Sequence, residues 1–147
     1  VKKMKDIIIY YLATFLKVIT VFFSPISGII ILVALSTIID TIAGIWKADK
    51  LKEDITSKKV RFGLVPKLVS YVGAIMLVYA SDVFILNDLT MLAVEVDMIS
   101  TKFIALALIS IEVKSIDESY KAVKGCSFID KIKAIIIKAK DVKKHLK

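Results

Sequence analysis

Four apolar runs, separated by charge clusters or a proline, constrain this chain more than anything else in it. Residues 7–23 are apolar apart from Tyr10, Tyr11, Thr14, Lys17 and Thr20. As a helix rising about 1.5 Å per residue, the run reaches roughly 25 Å, close to the thickness of a bilayer's hydrocarbon core. Ser24-Pro25 follows and is expected to break the helix. A second run, residues 26–46, carries one strong charge, Asp40, and ends at Trp46. A third, residues 67–86, ends near Asp82. The fourth, residues 101–113, is short unless Lys102 or Glu112 lies inside the span. The hydrophobic fraction of 57% exceeds the roughly 45–50% usual for soluble domains, and the excess sits in these blocks. Lipid is the solvent that such blocks fit.

The basic residues give an independent test of this layout. Cytoplasmic loops concentrate Lys and Arg. With four spans, Lys2, Lys3 and Lys5, the segment 47–66 with Lys67 at its end, and the residues beyond 113 all fall on one side. They hold all but two of the 22 basic residues. Lys17, inside a span, and Lys102, at an outer boundary, are the exceptions. The expectation is therefore an all-α protein of the cytoplasmic membrane with both termini in the cytoplasm. Residues 1–125 form its transmembrane domain, and the polar segment 47–66 is a cytosolic loop. The Ser24-Pro25 turn and the acidic stretch holding Asp88, Glu95 and Asp97 lie outside. The first run is expected to stay as an uncleaved helix, because no small-x-small site follows it.

Residues 126–147 read as a basic amphipathic tail. Phe128, Ile132, Ile135, Ile136, Ala139, Val142 and Leu146 recur at helical spacing, with Lys131, Lys133, Lys138, Lys140 and Lys144 among the residues between them. Such a helix either packs on its own oligomer or lies on the anionic inner leaflet.

Polar residues inside apolar helices need partners or water. In the second run Ser36, Asp40, Ala43, Gly44 and Lys47 share one face, and in the third Lys67, Ser70, Ala74 and Ser81 do. Lys67 is the candidate partner for Asp40 or Glu112. Lys17 either snorkels outward or faces the interior with Tyr10 and Thr14; Ser36 and Ser70 are expected to face inward. Small residues such as Gly44 allow close helix approach. Asp40 is either lining for an aqueous or subunit interface or a structural ion pair near the cytosolic boundary.

The order of these residues is familiar. Asp40 and Gly44 at a helix end, Lys47-Ala48, Ser57 in a basic loop, Gly63 and Lys67 opening the next span, Asp82 closing it, and Ser110-Ile-Glu112 running on to Ser115 and Glu118 together resemble the toxin-secretion and phage-lysis holin family over residues 26–125. The chain departs from that pattern in its long proline-free tail and in Ser119, where the family has Asn. The resemblance implies a protein that oligomerises in the host membrane and opens lesions that release or activate a cell-wall hydrolase. Its expected partners are copies of itself, anionic lipid at the tail, and an antiholin.

Other classes fit less well. The net charge of +8 is dispersed between apolar runs rather than gathered on a soluble face, so no nucleic-acid partner is expected. The chain has no Gly-rich phosphate loop, no His-Glu metal motif and no nucleophile with a histidine base, so no enzyme, cofactor or small-molecule substrate is expected. Its single histidine, His145, lies among tail lysines, and its single cysteine, Cys126, reads as structurally neutral. The alternatives are a membrane-anchored regulator or scaffold and, less well supported for want of an inverted repeat, a small channel.

Overall fold

The computed structural model describes the backbone of residues 2–86 and 96–145, and the side chains of residues 4–86 and 96–138. Every regular element among them is helical: α1 (Lys2–Phe23), α2 (Ser27–Leu51), α3 (Ser57–Ser81), α4 (Ile99–Lys124) and α5 (Phe128–His145). Most of the acidic stretch expected on the outside, including Asp88 and Glu95, falls outside the described residues, as do the side chains of Ala139, Val142, His145 and Leu146.

Helices α2, α3 and α4 pack into a three-helix bundle with alternating directions. Each buries one stripe. On α4 it runs through Thr101, Ala105, Leu108, Glu112 and Ser119; on α3 it runs through Ile75 and Tyr79 to Asp82; on α2 it runs through Val33 and Thr37. The apolar core is small, centred on Ile26, Val33, Ile75, Tyr79, Ala105 and Leu108. The outer faces carry Leu35, Ile39, Ile42, Val69, Leu77, Phe103 and Leu106, each at least half exposed. Meanwhile Thr37, Asp82, Thr101 and Glu112 are almost wholly buried. A water-soluble bundle places these classes the other way round, because apolar surface of that extent is unfavourable against water. Two helical stretches, Met4–Leu51 and Ser57–Leu86, are long and apolar enough to cross a membrane.

Three boundaries differ from the sequence reading. Ser24-Pro25 interrupts the α-helix, as expected, but for a single turn. Ser24–Ile26 is one 3-10 turn, with Pro25 near its start where the missing N–H costs nothing, and helix continues on both sides. At about 1.5 Å per residue Met4–Leu51 would measure roughly 70 Å if straight, over twice the hydrocarbon thickness of a bilayer. Second, the polar segment 47–66 is mostly helical. Only residues 52–56 are loop, since α2 ends on left-handed Lys52 and α3 starts at Ser57. Thr56 caps α3 by accepting the Lys59 N–H at 3.2 Å, and the helix runs through Pro66. Third, α4 extends well beyond the apolar residues 101–113, to Lys124, where Gly125 takes the left-handed conformation (φ +71°) that glycine adopts without strain.

Helix α1 stands apart. Phe22 and Phe23 pack on the bundle core, with Tyr79 5.4 and 5.9 Å from their ring centres, and Phe84 stacks on Phe22 at 5.6 Å. From Met4 to Val18 every side chain is exposed.

Candidate functional site

Near the loop end of the bundle, three helices each contribute a charged side chain to one point. Asp40 comes from α2, Lys67 from α3 and Glu112 from α4. Lys67 Nζ donates to Asp40 Oδ2 at 2.8 Å and to Glu112 Oε2 at 2.7 Å. The Tyr71 hydroxyl, one turn along α3 from Lys67, donates to Glu112 Oε1 at 2.7 Å. The local reason is spacing: Lys67, Tyr71, Ile75 and Tyr79 follow at i+4 on one face of α3, while Leu108 and Glu112 do so on α4. Side-chain exposure falls from 31% at Lys67 to 13% at Asp40 and 0% at Glu112. A carboxylate that deep is tolerated only with a cation and further donors, and here it has both. Two carboxylates share one ammonium, leaving the cluster with a formal charge of −1.

Beside this clasp lies an open cleft of about 310 Å³, lined among others by Asp40, Gly44, Glu53, Gly63, Ser115 and Ser119. No heavy atom outside the local backbone lies within 4 Å of where a Cβ on Gly44 or Gly63 would stand. These glycines border open space within one chain and are not points of close helix approach.

Two further carboxylates join helix ends. Asp82, 1% exposed, accepts the backbone N–H of Thr101 at 2.7 Å and its hydroxyl at 2.6 Å. It thereby caps α4, whose own N-cap, Met98, supplies no side-chain bond. Asp117 does the same for α5. It accepts Ser127 Oγ–H at 2.6 Å and the N–H groups of Phe128 and Ile129 at 2.8 and 3.3 Å. Partial desolvation pushes the Asp117 carboxyl up, but the bonds from Ser127, Ile129 and Phe128 and the charge of Lys121 outweigh it and hold it below the ordinary carboxylate range. Trp46, Tyr120 and Phe128 form a ring column across the same junction, with centroid separations of 6.3 and 5.9 Å. From there α5 leaves the bundle with Ile132, Ile135 and Ile136 exposed alongside Lys131, Lys133 and Lys138.

Of the residues singled out from sequence, Asp40, Lys67 and Glu112 meet, with Gly44, Gly63 and Ser115 on the adjoining cleft. The others do not join them. Lys47 is half-buried, Ser57 is an exposed first-turn residue, and Glu118 is exposed with Lys114 at 3.9 Å. Ser70, expected to face inward, is exposed, and so is Lys17, for which both orientations were open. Ser70 is displaced because the buried face of α3 runs through Lys67 and Tyr71. Ser36 is half-buried and returns its hydroxyl to Val33 O at 2.7 Å, while neighbouring Thr37 takes the buried position. Tyr71, Thr101 and Asp117 went unrecognised. Tyr71 could have been found as Lys67 plus one turn. The start of α5 was signalled by Ser127 three residues before Asp130, whose N–H the Ser127 hydroxyl accepts at 3.1 Å.

No curated protein and no solved structure matches the chain. A family model does, and it spans residues 17–141, from the last third of α1 through the bundle and its clasp and far into α5. With membrane-compatible helices, an inside-out bundle and a match of that length, the chain belongs to the bacteriophage holin family.

Proposed function

We propose that this chain accumulates in the cytoplasmic membrane of a phage-infected bacterium and then assembles with copies of itself into lesions that release or activate a cell-wall hydrolase. The family match over residues 17–141 carries this reading. The bundle's exposed apolar faces support it, since they suit lipid or neighbouring copies. Four crossings with both ends in the cytoplasm remain the preferred topology, on the segregation of basic residues. In that arrangement α1 turns back into the bilayer at Ser24–Ile26, and the clasp, the residue 52–56 loop and α5 share the cytoplasmic side. There the exposed isoleucines and lysines of α5 fit an anionic leaflet, each lysine contributing about 1 kcal/mol near such a surface.

Controlled expression in a bacterium, with and without a cytosolic endolysin, tests the lysis reading. Abrupt lysis that needs the endolysin, with release of cytosolic protein, is the expected outcome. Leakage of ions alone would indicate a channel, and neither leakage nor lysis a regulator or scaffold of antiholin type. In the same cells, alkaline phosphatase should be inactive when fused after Gly125 and active after Asn87; the reverse pattern would refute the topology. Truncation after Gly125 should leave insertion intact and shift lysis timing. Loss of insertion would make α5 part of the membrane fold instead.

A further inference from the structure

In the bundle, the charged groups of the clasp are satisfied within one chain: Lys67 holds both Asp40 and Glu112 and Tyr71 completes Glu112, while Thr101 holds one oxygen of Asp82 and the other is buried without a partner. A polar stripe that is closed inside each protomer is not free to face water between protomers. The remaining polar stripe among the described spanning residues lies on α1.

At about 3.6 residues per turn, Asp6, Tyr10, Thr14, Lys17 and Thr20 fall on one side of α1, and Ile8, Leu12, Phe15 and Ile19 on the other. The Thr14 and Thr20 hydroxyls bond back to Tyr10 O and Leu16 O at 2.9 and 2.8 Å. The Tyr10 hydroxyl and the Lys17 ammonium make no such bond, and among the described residues Lys17 has no ion pair; both side chains are exposed. Lys17 lies six residues from Phe23, about 9 Å along the helix, so its charge falls within the thickness of a bilayer that α1 crosses. The face turned the other way leads to Phe22, which is packed on the bundle. The bundle thus holds α1 only at its Phe22 and Phe23 end; before it both faces are exposed, and lipid is a fit solvent for the apolar face but not for the polar one.

We infer that α1 is the wall of the lesion: copies of this chain assemble with the Tyr10, Thr14 and Lys17 face of each α1 turned to a shared aqueous lumen, and the closed bundles stand behind it. The inference rests on the lysis reading above. It assigns the water-facing surface to α1 rather than to the Asp40 stripe, because a lumen supplies the solvation that Lys17 and Tyr10 lack within one chain.

Cysteine accessibility tests it in the full-length protein, in cells, on a Cys126→Ser background. Single substitutions Tyr10→Cys and Thr14→Cys report on one face, and Ile8→Cys and Phe15→Cys on the other at similar depth. A membrane-impermeant maleimide is added before and after lesions open, at matched membrane levels. Labelling at Tyr10→Cys and Thr14→Cys should rise several-fold on opening, while Ile8→Cys and Phe15→Cys stay low. Val21→Cys and Leu12→Cys, one on each face, replace any variant that fails to accumulate. Equal labelling of both faces, labelling of all positions before opening, or no labelling while lesions form would each overturn the assignment of α1 and leave the lysis reading standing. Failure of the unsubstituted chain to form lesions would overturn both.

Discussion

Replacing Lys67 by methionine is expected to destabilise the folded bundle by about 3 kcal/mol, the lower end of what removing one partner from a buried ion pair costs. The lower end applies because the Lys67 side chain is 31% exposed, although Glu112 is not exposed at all. Methionine keeps most of the volume and removes the charge, leaving two carboxylates without a cation at the junction of three helices. The carboxylate variants behave differently. Asp40→Asn leaves Lys67 paired with Glu112 at 2.7 Å, and Glu112→Gln leaves it paired with Asp40 at 2.8 Å, the single amide oxygen of glutamine accepting from either Lys67 or Tyr71. Each keeps one cation with one anion, so each should cost about 1 kcal/mol or less. Denaturant titration of the purified protein in detergent micelles should show Lys67→Met far below the other two, and the triple variant Lys67→Met, Asp40→Asn, Glu112→Gln should recover most of the loss. Equal effects from all three single substitutions would mean that the clasp contributes through packing and not through charge.

This asymmetry could not be read from the sequence. Asp40, Lys67 and Glu112 stand out there because each is a charge inside or at the edge of an apolar run, and Lys67 is the evident cation for either acid. That one lysine serves both depends on helix rotation. The sequence stripe on α3 was drawn through Lys67, Ser70 and Ala74 by counting small and polar residues. The bundle turns Lys67, Tyr71, Ile75 and Tyr79 inward, because a core between three helices is filled by large side chains and Tyr71 adds a donor that Ser70 is too short to supply. Membrane character was legible, since it rests on long blocks and on the segregation of charge, both insensitive to packing. Helix ends were not. The loop expected over residues 47–66 shrank to 52–56 because polar residues such as Lys47, Lys50 and Lys58 are good helix formers once they extend a helix beyond the hydrocarbon. Pro25 marked a true change in the chain, but at the start of a turn proline is compatible with helix on both sides. The caps supplied by Asp82 and Asp117 escaped notice because each serves a helix to which it does not belong.

The second large effect is expected at Asp82. Its carboxylate links the end of α3 to the start of α4 across a segment of chain, and it accepts both the N–H and the hydroxyl of Thr101, itself fully buried. Asp82→Ala removes the acceptor for a buried backbone N–H and a buried hydroxyl. A lost cap costs about 0.5–2 kcal/mol and a buried donor left unpaired about 1–3 kcal/mol, and the two overlap, so a total of about 3 kcal/mol is expected. Asp82→Asn keeps an oxygen in place for Thr101, loses the favourable interaction of the charge with the helix N-terminus and puts an amide NH2 where the partnerless oxygen stood, which sets its cost at about 1–2 kcal/mol. Hydrogen exchange at the Thr101 amide reads the local effect directly. Protection there should collapse in the alanine variant and fall only modestly in the asparagine variant, while amides in the middle of α2 change less. If α4 stays protected at its first turn in Asp82→Ala, then Met98 and the residues before it hold the helix end without Asp82. Asp82 would then be a buried charge tolerated at the end of α3, not the tie between α3 and α4.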